Sequence, residues 1–341
     1  MKARKIIRNI LIGLVVVLVV LIAVAAIIYP PTEKYVPRSE HPYYNWMTDY
    51  IKGSTLLRDV VIPGAHDAGA ADLDGSMFGL GRYLLVCQNA SVGDQLKQGI
   101  RYFDLRTRLK GDELYIQHAD FVCQKFFSVV EDIADYLRNG RDMLILNLQH
   151  FTDDETAIAT FDYLEDHIEG FADLCLTKDE CDFSTLTLDS IREKGKRLLI
   201  IWGSSIKPDE NILFEKGSEG VGGATLYSPY DGAIHKKGDE ALLGHLDYYI
   251  ENSRNYSGLF NLQCQRTWAP AEPLMGPEQL EKRFTELADE YLLNLTDEQL
   301  ECINIIHRDF VTTGDKIKII LSLNDRKGNT LNESLKFILN P

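Results

Sequence analysis

The 341-residue sequence has no C-x-x-C pair, no cluster of cysteine with histidine, no internal repeat, no biased tract and only 11 prolines. The first two absences argue against a zinc site. The others exclude collagen-like, coiled-coil and disordered chains. Basic charge is scarce as well: 36 Lys and Arg stand against 51 Asp and Glu, a net charge of −15. No basic stripe is available for phosphates, which argues against nucleic acid as a partner. A Gly-rich phosphate loop is also missing. The segment IPGAHDAGA that ends the first predicted strand is neither a Walker A motif nor a dinucleotide fingerprint.

What is present begins with an apolar run, ILIGLVVVLVVLIAVAAIIY, from Ile10 to Tyr29. About 20 apolar residues span a bilayer as a helix, and a secretory h-region is shorter. Lys2, Arg4, Lys5 and Arg8 precede the run, so the basic flank stays inside and the body is exported. Residues 1–29 are therefore expected to be an uncleaved signal-anchor, making a single-pass membrane protein with its body outside; secretion after cleavage is the alternative. Residues 30–55 are expected to be a juxtamembrane connector, and 56–341 one domain. An exported body suits the six cysteines, which permit three disulfides, with Cys175 and Cys181 the expected pair.

Within 56–341, short β-rich runs alternate with helical patterns. Strands are predicted at 58–63, 100–105, 113–117, 143–148, 197–202, 259–263 and 303–307, with helices at 127–137, 157–168 and 278–291. Several strand runs are continuously apolar, as in strands buried on both faces. Such alternation gives a parallel sheet covered by helices, either open and doubly wound or closed. Strand count and length favour the α/β class with a (β/α)8 TIM-type barrel.

In a barrel, chemistry collects at the C-terminal ends of the strands. There the sequence offers His66 and Asp67, Asp104 and Arg106, His118, Asn147 and Gln149, and Asp309. Two imidazoles suit general base and general acid work, and an arginine between them would clamp a phosphate. A carboxylate behind one imidazole would orient it. Singly, each has a structural explanation: a helix cap, a buried ion pair, a hydrogen-bonded core histidine. Together at successive strand ends they read as a kit for cleaving a phosphodiester without metal. His307, two residues before Asp309, is expected to face away from it.

The segments IPGAHDAGA, QLKQGIRYFDLRTRL and LYIQHAD resemble motifs of the phosphatidylinositol-specific phospholipase C family, X-domain, of the bacterial metal-independent type. DMLILNLQH and INIIHRDFV fit the strands that follow. The resemblance implies a distorted (β/α) barrel and an inositol phospholipid substrate at a membrane surface. It implies attack by the inositol 2-hydroxyl on phosphorus, with diacylglycerol leaving and a cyclic inositol phosphate forming. By motif match His66 would be general base, Asp309 its orienting carboxylate, His118 general acid and Arg106 the phosphate clamp. Asp67 would assist the acid side, and Asp104 would support the network. Calcium-dependent relatives carry an acidic residue where this chain has Arg106, so no metal or other cofactor is expected.

The chain departs from the family pattern at the headgroup. Gln149 stands where the secreted bacterial enzymes have a lysine, and Trp202 where they have an arginine. Arg266 and Trp268, in CQRTWAP, are either replacement contacts or an ordinary rim loop. Two other functions remain open. A glycerophosphodiester phosphodiesterase would need a His-Arg-Gly and Glu-x-Asp pattern that the sequence lacks. A non-catalytic binding module of the same fold would not need His66, Arg106 and His118.

Overall fold

The computed structural model describes residues 8, 11–17, 19–20, 24, 35–37, 39–71, 79–217, 225–269, 272 and 275–331. The barrel strands are β1 (Ile62–Ala65), β2 (Tyr102–Lys110), β5 (Leu144–Gln149), β6 (Leu198–Trp202), β7 (Leu213–Gly217), β8 (Leu226–Tyr227), β9 (Leu259–Gln263) and β10 (Ile305–Arg308). They run parallel in that order, and β1 pairs with both β2 and β10, closing the sheet. This is the expected closed (β/α) barrel. Its distortion is local, because β8 contributes only two residues, Leu226 and Tyr227.

The apolar runs LILNLQ of β5 and LLIIW of β6 are buried along their whole length. One face of each strand fills the barrel and the other meets a helix. The helix Phe126–Asn139 buries Phe126, Val129, Val130, Ile133 and Leu137, a stripe at helical spacing, and stops at Gly140. The helix Pro277–Leu293 opens with proline, which needs no N–H partner in the first turn, and buries Leu280, Phe284, Ala288 and Leu292. In the sequence predicted as connector, Tyr43, Trp46, Met47 and Ile51 are buried. The Trp46 indole donates to the Gly99 carbonyl at 2.8 Å.

One strand predicted for the barrel belongs elsewhere. β3 (Glu113–His118) and β4 (Phe121–Lys125) form an antiparallel hairpin that extends β2. β7 and β8 take the barrel positions that the sequence pattern left empty.

Two expectations are corrected. Among the described residues no helix is long and apolar enough to cross a membrane, so a single-pass anchor and the localisation built on it are not supported. Arg8, 11–17, 19–20 and Val24 are helical, and the rest of the 10–29 segment lies outside the described residues. No disulfide joins the six cysteines, the Cys175–Cys181 pair included. Cys175 instead sits in the core beside Leu198 of β6 and Cys181 packs against that core, and burial pushes each pKa up to about 12.

Candidate active site

The site starts where β1 and β10 lie side by side, with Gly64 opposite His307 and Ala65 opposite Arg308. A Cβ on Gly64 would fall 2.9 Å from both His307 Cβ and Tyr102 Cδ1. Only glycine lets the motif strand approach that closely. Along β10 the period-two alternation sends Arg308 outward, where Glu281 and Asp289 of the helix Pro277–Leu293 hold its guanidinium. His307 and Asp309 point inward. His307 therefore does not face away from Asp309: residues two apart on a strand share a face, and the His307 ring lies 5.2 Å from that of His66.

His66 is held from both nitrogens. Its Nδ1 is 2.8 Å from Asp309 Oδ1, while its Nε2 faces Arg106 Nη2 at 3.0 Å and Asp67 Oδ2 at 3.4 Å. Arg106 also reaches Asp104 Oδ2 at 2.8 Å through Nη2 and lies 2.8 Å from Asp67 Oδ1 through Nε. The second contact lacks hydrogen-bond alignment, so it is an ion pair only. The β3–β4 hairpin returns the chain to the mouth and delivers His118. Its Nδ1 donates to the Leu85 carbonyl at 2.8 Å, which leaves Nε2 facing Asp67 Oδ2 at 3.6 Å. The structure thus brings His66, Asp67, Asp104, Arg106, His118 and Asp309 together.

Backbone strain marks the same place independently. Among the described residues, the non-glycine residues with positive φ are Asp67, Ala119, His150 and Phe310, at 43°, 52°, 54° and 44°. They directly follow His66, His118, Gln149 and Asp309. Left-handed backbone in residues with a Cβ costs on the order of 1 kcal/mol or more and persists where surrounding structure enforces it. Here it turns the chain sharply just past each inward-facing side chain.

The residues expected to bind substrate are placed differently from one another. Gln149 points into the barrel, donating from Nε2 to Asp104 Oδ1 at 2.5 Å and accepting from Lys216 Nζ at 2.6 Å. Trp202 is 2% exposed, packs on Phe151 and Phe161, and donates to the Ile206 carbonyl, so its ring has no face left for a ligand. Arg266 is also 2% exposed, and its guanidinium is held by Asp239, Glu272 and the His235 carbonyl. It is a structural rim residue, and the rim-loop alternative for CQRTWAP is the one the geometry supports.

Sequence reasoning missed Gln88, Lys216, His307 and Cys87. Gln88 is fully buried and clamps the two strand ends that carry the dyad, donating to the carbonyls of His66 at 2.8 Å and Arg308 at 3.1 Å. The alternation of β10 was the available signal for His307. Lys216 and Gln88 had none, since the charges in LFEKG interrupt any apolar run on β7 and Gln88 lies in a loop.

Charge follows from this geometry. Burial alone would lower the His66 pKa, but the carboxylates of Asp67 and Asp309 outweigh it and raise it above the ordinary value. Burial raises Asp309, with His66 opposing. Burial would also raise Asp104, yet Arg106 beside it holds it far below the usual carboxylate range. His307 is kept neutral by burial, reinforced by the charge of His66. Burial likewise raises the Cys87 thiol, which lies 3.6 Å from His118 Nδ1. His66, Asp67 and Cys87 offer donor atoms within 4.8 Å of one another, a set that would suit a soft divalent ion. Arg106 already contacts two of those three residues, and its fixed positive charge opposes a second cation there.

No family model matches the chain. It is 26% identical over 271 residues to a 1-phosphatidylinositol phosphodiesterase of Listeria monocytogenes, covering 78% of this chain and 80% of that protein. It is 24% identical over 321 residues to the bovine PI-PLC X domain-containing protein 3, covering 84% and 95%. Among solved structures, the phosphatidylinositol-specific phospholipase C of Listeria monocytogenes superposes with a TM-score of 0.64 at 22% identity, covering 83% of this chain and 98% of that one. A Staphylococcus aureus phosphatidylinositol-specific phospholipase C variant gives a TM-score of 0.64 at 14% identity, covering 82% and 97%. In sequence and in fold, the chain fits the phosphatidylinositol-specific phospholipase C X-domain family.

Proposed function

We propose that this protein is a phosphodiesterase of phospholipase C type. It cleaves an inositol phospholipid, or a glycosylated form, by general acid–base catalysis without a metal ion. The observation that carries this reading is the convergence of the Nε2 atoms of His66 and His118 on Asp67 Oδ2, at 3.4 and 3.6 Å, with Arg106 against His66 and each imidazole fixed at Nδ1 by a specific acceptor. With Nδ1–H bonded to Asp309, the Nε2 lone pair of His66 is the basic site. With Nδ1–H bonded to Leu85, the mobile proton of His118 is on Nε2.

A phosphate seated on Arg106 would displace the guanidinium contact to His66 and put a neighbouring substrate hydroxyl within reach of Nε2. His66 takes the hydroxyl proton, and the new oxygen–phosphorus bond closes a five-membered cyclic phosphate. The bond from phosphorus to the glycerol oxygen breaks, and His118 gives that oxygen its proton, releasing diacylglycerol. Arg106 stabilises charge building on the non-bridging oxygens through a pre-oriented fork of donors. The similarity to the Listeria phosphodiesterase supports the substrate class.

The test is release of diacylglycerol and cyclic inositol phosphate from phosphatidylinositol vesicles by the purified full chain. His66→Ala and His118→Ala should each lower the rate by about 10²–10⁴-fold while the protein stays folded. Wild-type protein that binds the vesicles without turnover would instead support a non-catalytic module. Efficient cleavage of phosphatidylcholine, which has no hydroxyl beside the phosphate, would reject the intramolecular attack.

A further inference from the structure

Lys216 is the fourth residue of β7, and the strand alternates around it: Glu215 is exposed and Lys216 is half-buried on the inner face. Among the described residues Lys216 forms no ion pair and makes one hydrogen bond, 2.6 Å from Nζ to the neutral Gln149 side chain. An ammonium has three donors, so two remain. Removing such a group from water is costly unless something replaces the lost hydrogen bonds.

Its place in the site gives that something a direction. A chain of hydrogen bonds runs from Lys216 through Gln149, Asp104 and Arg106 to His66, with links of 2.6, 2.5, 2.8 and 3.0 Å. The Gln149 amide orientation is dictated by its two charged neighbours, oxygen toward the ammonium and nitrogen toward the carboxylate. Gln149 therefore connects the phosphate clamp to a cation from β7. A ligand whose phosphate occupies Arg106 and whose body extends across the barrel mouth would bring oxygen acceptors toward Lys216.

We propose that Lys216 is a specificity-determining residue that donates to ring hydroxyls of a cyclic polyol phosphate, supplying from β7 the cation that β5 lacks at Gln149. This rests on the phosphodiesterase reading.

The test compares two probes by calorimetry on the full chain: inositol 1-phosphate and methyl phosphate. Both offer a phosphate to Arg106, and only the first has a ring. In wild type inositol 1-phosphate should bind more tightly. In Lys216→Met the ratio of the two affinities should fall by about tenfold or more, the scale of one hydrogen bond to a charged group. Lys216→Arg, which keeps charge and donors, should restore part of the ratio. An unchanged ratio in Lys216→Met, with both probes still bound, would overturn the role of Lys216 alone. No binding of either probe to wild type would overturn the phosphate site and the proposal with it.

Discussion

His66 Nδ1 lies 2.8 Å from Asp309 Oδ1, and this contact joins the C-terminal ends of the first and last barrel strands. It fixes the imidazole tautomer, and with Asp67 it raises the His66 pKa against the opposing effect of burial. A base must be unprotonated to work, so kcat/KM should fall as pH falls through a value above the ordinary histidine pKa of about 6.5. Asp309→Asn removes one source of the upward shift. Its acid limb should move to lower pH while the plateau drops by about 10²-fold or more. A pH–rate profile of wild type and variant checks this, and an unmoved limb would reject the dyad.

His118 should matter in proportion to how badly the leaving group needs a proton. On a natural lipid the departing alkoxide is a poor leaving group, and His118→Ala should cost about 10²–10⁴-fold. On an inositol ester of nitrophenol, which leaves without protonation, the same variant should lose far less. Equal losses on both substrates would show that His118 is not the acid.

Arg106 contacts Asp67, Asp104 and His66 with a planar fork that lysine cannot reproduce. Turnover by wild type should persist in excess EDTA, and Arg106→Lys should lower kcat by about 10²-fold or more. Activity lost in chelator and restored by calcium or zinc would mean that the His66, Asp67 and Cys87 donors hold a working ion.

Gly64 packs against His307 and Tyr102 at a distance that leaves no room for a methyl group. Gly64→Ala should destabilise the fold by about 1–3 kcal/mol, seen as a lower denaturant midpoint at unchanged slope. Full stability in Gly64→Ala would show that β1 can shift freely.

His307 is buried with its folded pKa depressed well below the ordinary value. A group that binds protons only when unfolded favours unfolding as pH drops below its unfolded pKa of about 6.5. His66 acts in the opposite sense, since its folded pKa is raised and its contribution is lost as pH rises. His307→Gln should therefore weaken the acid-side loss of stability, measured as the denaturant midpoint between about pH 7 and pH 5 relative to wild type.

The residues Pro63–Asp67, Tyr102–Arg106 and His118 carry the site's chemistry in short local motifs. So the residues that converge at the candidate site, the barrel class and six of its strands were legible in the sequence. Apolar runs such as LILNLQ and LLIIW announce strands buried on both faces because burial acts on each residue where it stands. Tertiary structure decided what depends on partners distant along the chain. It turned β3 and β4 into a hairpin and filled the barrel with β7, whose run LFEKG is broken by charge, and with β8, whose two residues are too few to show a period. It buried Trp202 and tied Arg266 to Asp239 and Glu272, removing both from the mouth. It kept the cysteines apart as unbridged thiols. It also set Lys216 against Gln149, 67 residues away in sequence, a pairing that follows only from strand order around the closed barrel.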